Sequence, residues 1–84
     1  MSPQNSNEIA AYLRELAAQE MKTDSSQITT TATFHQLGFD SISCLYFMDQ
    51  IQNQFNIEMS PMDFWDYPTI NSLSEKIFHE NFAA

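Results

Sequence analysis

The sequence predicts an all-α domain of four helices, three sizeable and one short, with a long loop between the first two. Three observations point there. One glycine and three prolines in 84 residues are too few for a β-sandwich, which needs turn signals roughly every 8–12 positions. Apolar residues recur at helical spacing through most of the chain. A lone cysteine, Cys44, and two histidines, His35 and His79, supply neither a disulfide nor a zinc-ligand set, so helix packing must hold the fold. The length allows one small domain, which buries only about 60% of its unfolded surface, so its function has to be carried on the outside of a thin core.

The first helix is expected to start near Asn5, where Asn5 and Glu8 have capping-box spacing, and to end by Met21. Ile9, Leu13, Leu16 and Ala17 form its inward stripe. Residues 22–39, rich in Thr and Ser, lack a 3.6-residue period and read as a loop. Loops longer than about 12–15 residues are uncommon unless functional or pinned. Ile28, Phe34 and Leu37 are the candidate pins, and Gly38 can supply a positive-φ turn.

Asp40 is placed to cap a second helix reaching about Asn56. At about 100° per residue, Cys44, Phe47, Met48, Ile51 and Phe55 share one arc, assigned to the core. Ile42, Tyr46, Asp49 and Asn53 fall on another side, with Leu45 between the two. Ser60 as cap, Pro61 at the first helical position and Asp63 start a short third helix carrying Met62, Phe64 and Trp65, which Pro68 stops. Thr69 caps the last helix, with Ile70, Leu73 and Ile77 inward and Phe78 and Phe82 near its end.

Charge narrows the function. Three Lys plus Arg against eleven Asp plus Glu give a net charge of −8, which repels phosphate backbones and anionic membrane surfaces. No apolar run approaches the roughly 18 residues of a membrane-spanning helix. The first residues show no basic region followed by an apolar stretch, so a cytoplasmic location is expected.

Catalytic sets are thin. Ser41, His35 and one of Asp40, Asp63 or Asp66 have the residue types of a hydrolase triad, but such a site also needs an oxyanion pocket and a shaped cleft. Cys44 has no Lys or Arg near it in sequence to lower its thiol pKa and reads as a small core residue. Asp63 and Asp66, one turn apart, read as a solvated face favouring a helix N-terminus. The richer constellation is 37–42, Leu-Gly-Phe-Asp-Ser-Ile, where a glycine turn delivers a serine hydroxyl to the first turn of a helix. Free N–H groups and the positive end of the helix dipole favour a covalently attached phosphate there. Physics alone leaves open whether Asp40 and Ser41 merely cap the helix.

Phe34-His-Gln-Leu-Gly-Phe-Asp-Ser-Ile resembles the phosphopantetheine attachment site of acyl carrier proteins. In that family an aromatic residue precedes Leu-Gly-x-Asp-Ser-Leu/Ile, and Ser41 matches the modified serine. Residues 64–70, Phe-Trp-Asp-Tyr-Pro-Thr-Ile, with Leu73 resemble the Pro-Thr-Ile…Leu entry into the last helix of carrier domains from modular synthases. The resemblance covers about 8–80, taken as the carrier domain, with 1–7 and 81–84 as flexible tails. It implies a right-handed, acyl-carrier-like four-helix bundle with no catalytic activity of its own; as an isolated domain the chain is expected to be a monomer. It also implies a 4′-phosphopantetheine arm from coenzyme A on Ser41, installed by a magnesium-dependent phosphopantetheinyl transferase. Asp40 matches the acid that engages the transferase's metal and coenzyme A site. Ile42, Leu45, Tyr46 and Asp49 correspond to the surface shown to ketosynthase, acyltransferase or tailoring enzymes, although Leu45 and Tyr46 could instead widen the core stripe.

Fatty acid carriers usually line the second helix with acids, whereas this one has Ser43, Gln50, Gln52, Asn53 and Gln54 with Asp49 as its single acid. Charge steering is therefore weaker, which together with the Tyr-Pro-Thr-Ile motif favours polyketide or hybrid polyketide/nonribosomal peptide biosynthesis. Peptidyl carriers more often show Gly-Gly-His/Asp-Ser, so Gly-Phe-Asp-Ser leans toward an acyl cargo. A peptidyl carrier, a fatty acid carrier and an unmodified carrier-like interaction module remain the alternatives. The chain fits a free-standing carrier and an excised domain equally.

Overall fold

The computed structural model describes residues 2–83. Its order is α1 (Ser6–Met21), a 3-10 turn (Ser25–Gln27), α2 (Ser41–Phe55), α3 (Asp63–Asp66) and α4 (Ile70–Asn81), with no strand among the described residues. The four-helix all-α plan is as expected. Ser6, Asn7 and Asn81 are helical and Phe82 packs on Phe55, ring centroids 6.0 Å apart. Of the expected flexible tails, Met1 and Ala84 lie outside the described residues.

Each long helix starts at a side-chain cap. The Glu8 N–H donates to Asn5 Oδ1 at 3.0 Å, and the Ser43 N–H to Asp40 Oδ1 at 2.8 Å. At α4, the Ser72 N–H donates to Thr69 Oγ1 and the Thr69 N–H to Ser72 Oγ, each at 3.1 Å. That reciprocal box satisfies donors the first turn would otherwise leave unpaired. Lys22 and Asn56 end α1 and α2 in the left-handed region, φ 56° and 55°, where Asn is tolerated better than most residues.

The core stripe of α1 is Ile9, Leu13, Ala17 and Ala18. Ala18 is buried where Leu16 was expected, and Leu16 is only half-buried. This stripe packs chiefly on Ile70, Leu73 and Ile77 of α4. On α2, Phe47 and Ile51 are buried, while Cys44, Met48 and Phe55 are half-buried. The core arc of α2 is thus narrower than its apolar content predicts.

The long loop is pinned at several points. The Arg14 Nε–H donates to the carbonyls of Ser25 and Ile28 at 2.8 and 3.1 Å. The Phe34 N–H donates to Pro68 O at 2.9 Å, beside an isolated bridge between Thr33 and Thr69, and the Asn71 N–H donates to Thr30 O at 3.1 Å. Ile28 and Phe34 are buried as expected, Leu37 is half-buried, and Phe39, which the sequence did not single out, is buried. Hydrogen bonds to backbone carbonyls explain how a polar segment of this length stays ordered.

The third helix starts later than expected. Ser60, Pro61 and Met62 form a tight turn in which the N–H groups of Asp63, Phe64 and Trp65 bond back three residues, and α3 proper begins at Asp63. The expected capping chemistry is present all the same: the Met62 N–H donates to Ser60 Oγ and the Ser60 N–H to Asp63 Oδ2. Asp63, expected to be solvated, is 7% exposed. Its Oδ1 lies 3.2 Å from Lys76 Nζ of α4, and that ion pair is what permits a carboxylate to be buried there.

Candidate functional site

Four rings form the floor of the site. Phe34 and Phe39 from the loop, Phe47 from α2 and Phe64 from α3 meet with centroids 5.1–6.2 Å apart, mostly edge-to-face. Such pairs favour offset and T-shaped geometry. The cluster ties the end of the loop to α2 and α3 and so fixes where the first turn of α2 points.

Between Phe34 and Asp40 the chain must reverse. Gly38 does this at φ +100°, with the Gly38 N–H bonded to His35 O and the Phe39 N–H to Phe34 O. A Cβ at Gly38 would meet only Met21 Sδ, at an ordinary 3.5 Å, so the backbone angle rather than crowding requires glycine. Gly38→Ala is expected to cost about 1–2 kcal/mol, readable as a lower urea midpoint with an unchanged slope.

Asp40 then caps α2, and the N–H and hydroxyl of Ser43 hold its exposed carboxyl below the usual carboxylate range. A depressed folded-state pKa means the cap stabilises above the ordinary carboxyl pKa and is lost as pH falls through the lowered value. Thermal melts of wild type and Asp40→Asn should therefore differ at neutral pH and converge in acid.

Ser41 is the first residue of α2, exposed, and its Oγ makes no hydrogen bond among the described residues. Asp40 caps the helix, as expected, and the Ser41 hydroxyl takes no part in that cap. Ser41 and Asp40 also line an open groove of about 710 Å³, walled mainly by apolar side chains including Leu45, Phe64 and Trp65. A free hydroxyl at a helix N-terminus, open to solvent and to an apolar groove, suits a phosphodiester-linked arm: partner access is unobstructed and the helix dipole favours the phosphate.

The other predicted residues fall as follows. Ile42 is 78% exposed, and Leu45, Tyr46 and Asp49 are also exposed, so Leu45 and Tyr46 do not widen the core stripe. His35 is exposed and lines the same groove as Asp40 and Ser41, but no hydrogen bond joins it to Ser41 among the described residues. Asp63 is committed to Lys76, and Asp66 is exposed. Cys44, expected in the core, is half-buried at the groove; burial, then the charge of Asp40, pushes its thiol above its ordinary pKa. A thiol so placed is mostly protonated at neutral pH and a poor nucleophile.

Sequence reasoning gave Trp65 no role in the site. It is 79% exposed and forms part of the groove wall. The signal was present: Phe64 turns into the ring cluster, and at about 100° per residue its neighbour cannot share that face.

A family model described as a phosphopantetheine attachment site matches residues 11–77. Polyketide synthase PksN of Bacillus subtilis is 30% identical over 74 residues, 88% of this chain and 1% of that much longer protein. Among solved structures, a free-standing peptidyl carrier protein from an uncharacterized Acinetobacter baumannii secondary metabolic pathway superposes with a TM-score of 0.87 at 32% identity, covering 93% of this chain and 98% of that one. The HMG-ACPI domain from the CurA module of Lyngbya majuscula gives 0.84 at 31% identity over 95% and 85% of the two chains. The chain belongs to the phosphopantetheine-attachment-site family, the carrier domains that bear a 4′-phosphopantetheine group.

Proposed function

We propose that Ser41 Oγ is the attachment atom and that the chain is an acyl carrier serving polyketide or hybrid polyketide/nonribosomal peptide biosynthesis as a cytoplasmic monomer with no catalytic activity of its own. The observation that carries this is the free, exposed hydroxyl of Ser41 beside a cap already satisfied by Asp40. Similarity to polyketide synthase carriers supports the pathway.

Ser41 acts as a nucleophile once, in the active site of a phosphopantetheinyl transferase. Its Oγ attacks the coenzyme A pyrophosphate at the phosphorus bearing pantetheine. A new P–O bond forms as the pyrophosphate bond breaks, adenosine 3′,5′-bisphosphate leaves, and the hydroxyl proton passes to the transferase. Asp40, exposed beside Ser41, is placed to meet the transferase's magnesium ion, which offsets the repulsion between a carboxylate and the incoming phosphate. The bound arm supplies a terminal thiol that holds acyl groups as thioesters, and tethering raises their effective concentration at partner sites.

Ile42, Leu45, Tyr46 and Asp49 form the docking face for ketosynthase, acyltransferase or tailoring enzymes. Exposed apolar side chains with polar neighbours suit a transient contact, and a single acid on that helix makes docking only weakly salt-dependent. A peptidyl cargo is the second reading, favoured by the structural match to the Acinetobacter peptidyl carrier.

Incubation with a broad-specificity phosphopantetheinyl transferase, magnesium and coenzyme A should add one phosphopantetheine to the intact mass. A folded sample that gains no mass with two such transferases would overturn the proposal in favour of an unmodified interaction module.

A further inference from the structure

A phosphodiester on Ser41 Oγ lies beside the Asp40 carboxylate in a chain of net charge −8. Once the transferase and its magnesium ion have left, groups of this chain have to balance that charge. The N-terminus of α2 does so only in part. Asp40 already takes the Ser43 N–H at 2.8 Å, and the Ser43 and Ile42 amides both help to hold its carboxyl below the ordinary range. No Lys or Arg lines the groove around Ser41. Arg14 is committed to the Ser25 and Ile28 carbonyls, Lys76 to Asp63 and Glu80, and Lys22 sits at the C-terminal end of α1 beside Tyr46 and Gln50. The one side chain on the Ser41 groove able to carry a positive charge is His35.

The loop holds His35 in place. The Thr33 N–H donates to Gln36 Oε1 at 2.9 Å and the Gln36 N–H to Thr33 Oγ1 at 3.0 Å. The Gly38 N–H bonds to His35 O itself, and the Phe39 N–H to Phe34 O. Phe34 turns into the ring cluster and is buried, which leaves its neighbour His35 exposed on the groove that Asp40 and Ser41 also line.

We infer that the His35 imidazole clamps the near end of the arm: it binds the phosphodiester on Ser41, through a ring N–H when neutral and as an ion pair when protonated. The inference rests on Ser41 as the attachment point. His35 is a positioning residue with no part in the transfer step; it holds the first segment of the arm toward the loop. Imidazole is the side chain that changes charge between pH 5 and about 8, and charge-assisted hydrogen bonds to phosphate are roughly twice as strong as neutral ones. The clamp therefore tightens as pH falls through that range and slackens as it rises. The other titratable groups on the groove are Asp40 and Cys44, with Asp66 exposed on α3 next to Trp65. Carboxylates titrate below that range, and burial, then the charge of Asp40, raises the Cys44 thiol, so the imidazole alone changes charge there.

Phosphorus-31 NMR of the loaded protein tests the clamp, because a phosphodiester has no titration of its own in this range and its resonance moves only with a neighbour. Wild type, His35→Ala, His35→Lys and His79→Asn are loaded by the transferase from coenzyme A. Intact mass establishes complete loading and circular dichroism an unchanged fold. The wild-type resonance should move along one sigmoid between pH 5 and about 8, and His35→Ala should lose most of that movement. His35→Lys, charged throughout, should hold a position independent of pH and distinct from that of His35→Ala. His79→Asn, altered in the last turn of α4, should match wild type. Salt at about 1 M should shrink the wild-type movement, since the pair is exposed.

A wild-type resonance that stays fixed, or a movement that survives in His35→Ala, would overturn the clamp while leaving Ser41 as the attachment point. No mass gain at all would remove the attachment reading and the clamp together.

Discussion

Phe47→Ala should destabilise the domain by about 3–5 kcal/mol and lower its melting temperature by about 15–30 °C. Phe47 is 1% exposed and touches three other rings, with centroids 5.6 Å from Phe34, 5.1 Å from Phe39 and 6.2 Å from Phe64. Removing the ring leaves a cavity where α2, α3 and the loop converge, and the three neighbours come from segments held by backbone bonds that resist collapse. A domain of this size has about 4–13 kcal/mol of total stability, so the variant should be largely or partly unfolded at 37 °C. Urea and thermal unfolding give the result, and a loss below about 1 kcal/mol would contradict the placement of Phe47 at the centre of the cluster.

Lys76→Met should cost about 2–3 kcal/mol, a smaller loss than the breaking of a fully buried pair because Asp63 keeps one N–H partner. Lys76 Nζ lies 3.2 Å from Asp63 Oδ1 and 2.9 Å from Glu80 Oε2, with the Lys76 and Asp63 side chains 12% and 10% exposed. Burial opposes the charge on Lys76, yet hydrogen bonds to Glu80 and Asp63 outweigh it and raise its pKa above the ordinary 10.5. A raised folded-state pKa means the contribution is complete below the ordinary lysine value and disappears as pH rises through the folded one. The effect of Lys76→Met should thus be full at neutral pH and vanish only in alkali.

The pair also joins α3 to α4, so amide exchange of Trp65, Asp66 and Tyr67 should accelerate more than that of α1. Asp63→Asn in the Lys76→Met background should recover part of the loss, since the buried charge is then gone. A Lys76→Met protein as stable as wild type at neutral pH would show that the pair is not holding α3.

Local chemistry explains what was legible in the sequence. Asn5, Asp40 and Thr69 announced helix starts because a cap needs only its own next few residues. Gly38 announced a turn for the same reason, and the attachment serine stood in a contiguous motif beside those signals. What was not legible depended on residues distant in sequence. Phe39 is buried because Phe34 and Phe47 come to meet it, and Asp63 is buried because Lys76, thirteen residues on, arrives from another helix. The narrowed core arc of α2 leaves Cys44 facing a groove whose other wall is α3, and no periodicity within α2 encodes that wall.

The capping alternative for Ser41 shows where sequence and structure divide the work. The sequence leaves open whether Asp40 and Ser41 do no more than cap the helix; in the structure the Ser43 N–H donates to Asp40, and the Ser41 hydroxyl has no hydrogen-bond partner among the described residues. Trp65 lines the same groove as Ser41, which joins two motifs that lie more than twenty residues apart.

Tandem mass spectrometry of the loaded protein, with Ser41→Ala run alongside under the same transferase, magnesium and coenzyme A, tests the central claim most directly. The account predicts a single phosphopantetheine localised to Ser41 and none on a Ser41→Ala protein whose circular dichroism matches wild type. Added mass on Ser43 or another hydroxyl, or loading that persists in Ser41→Ala, would contradict it.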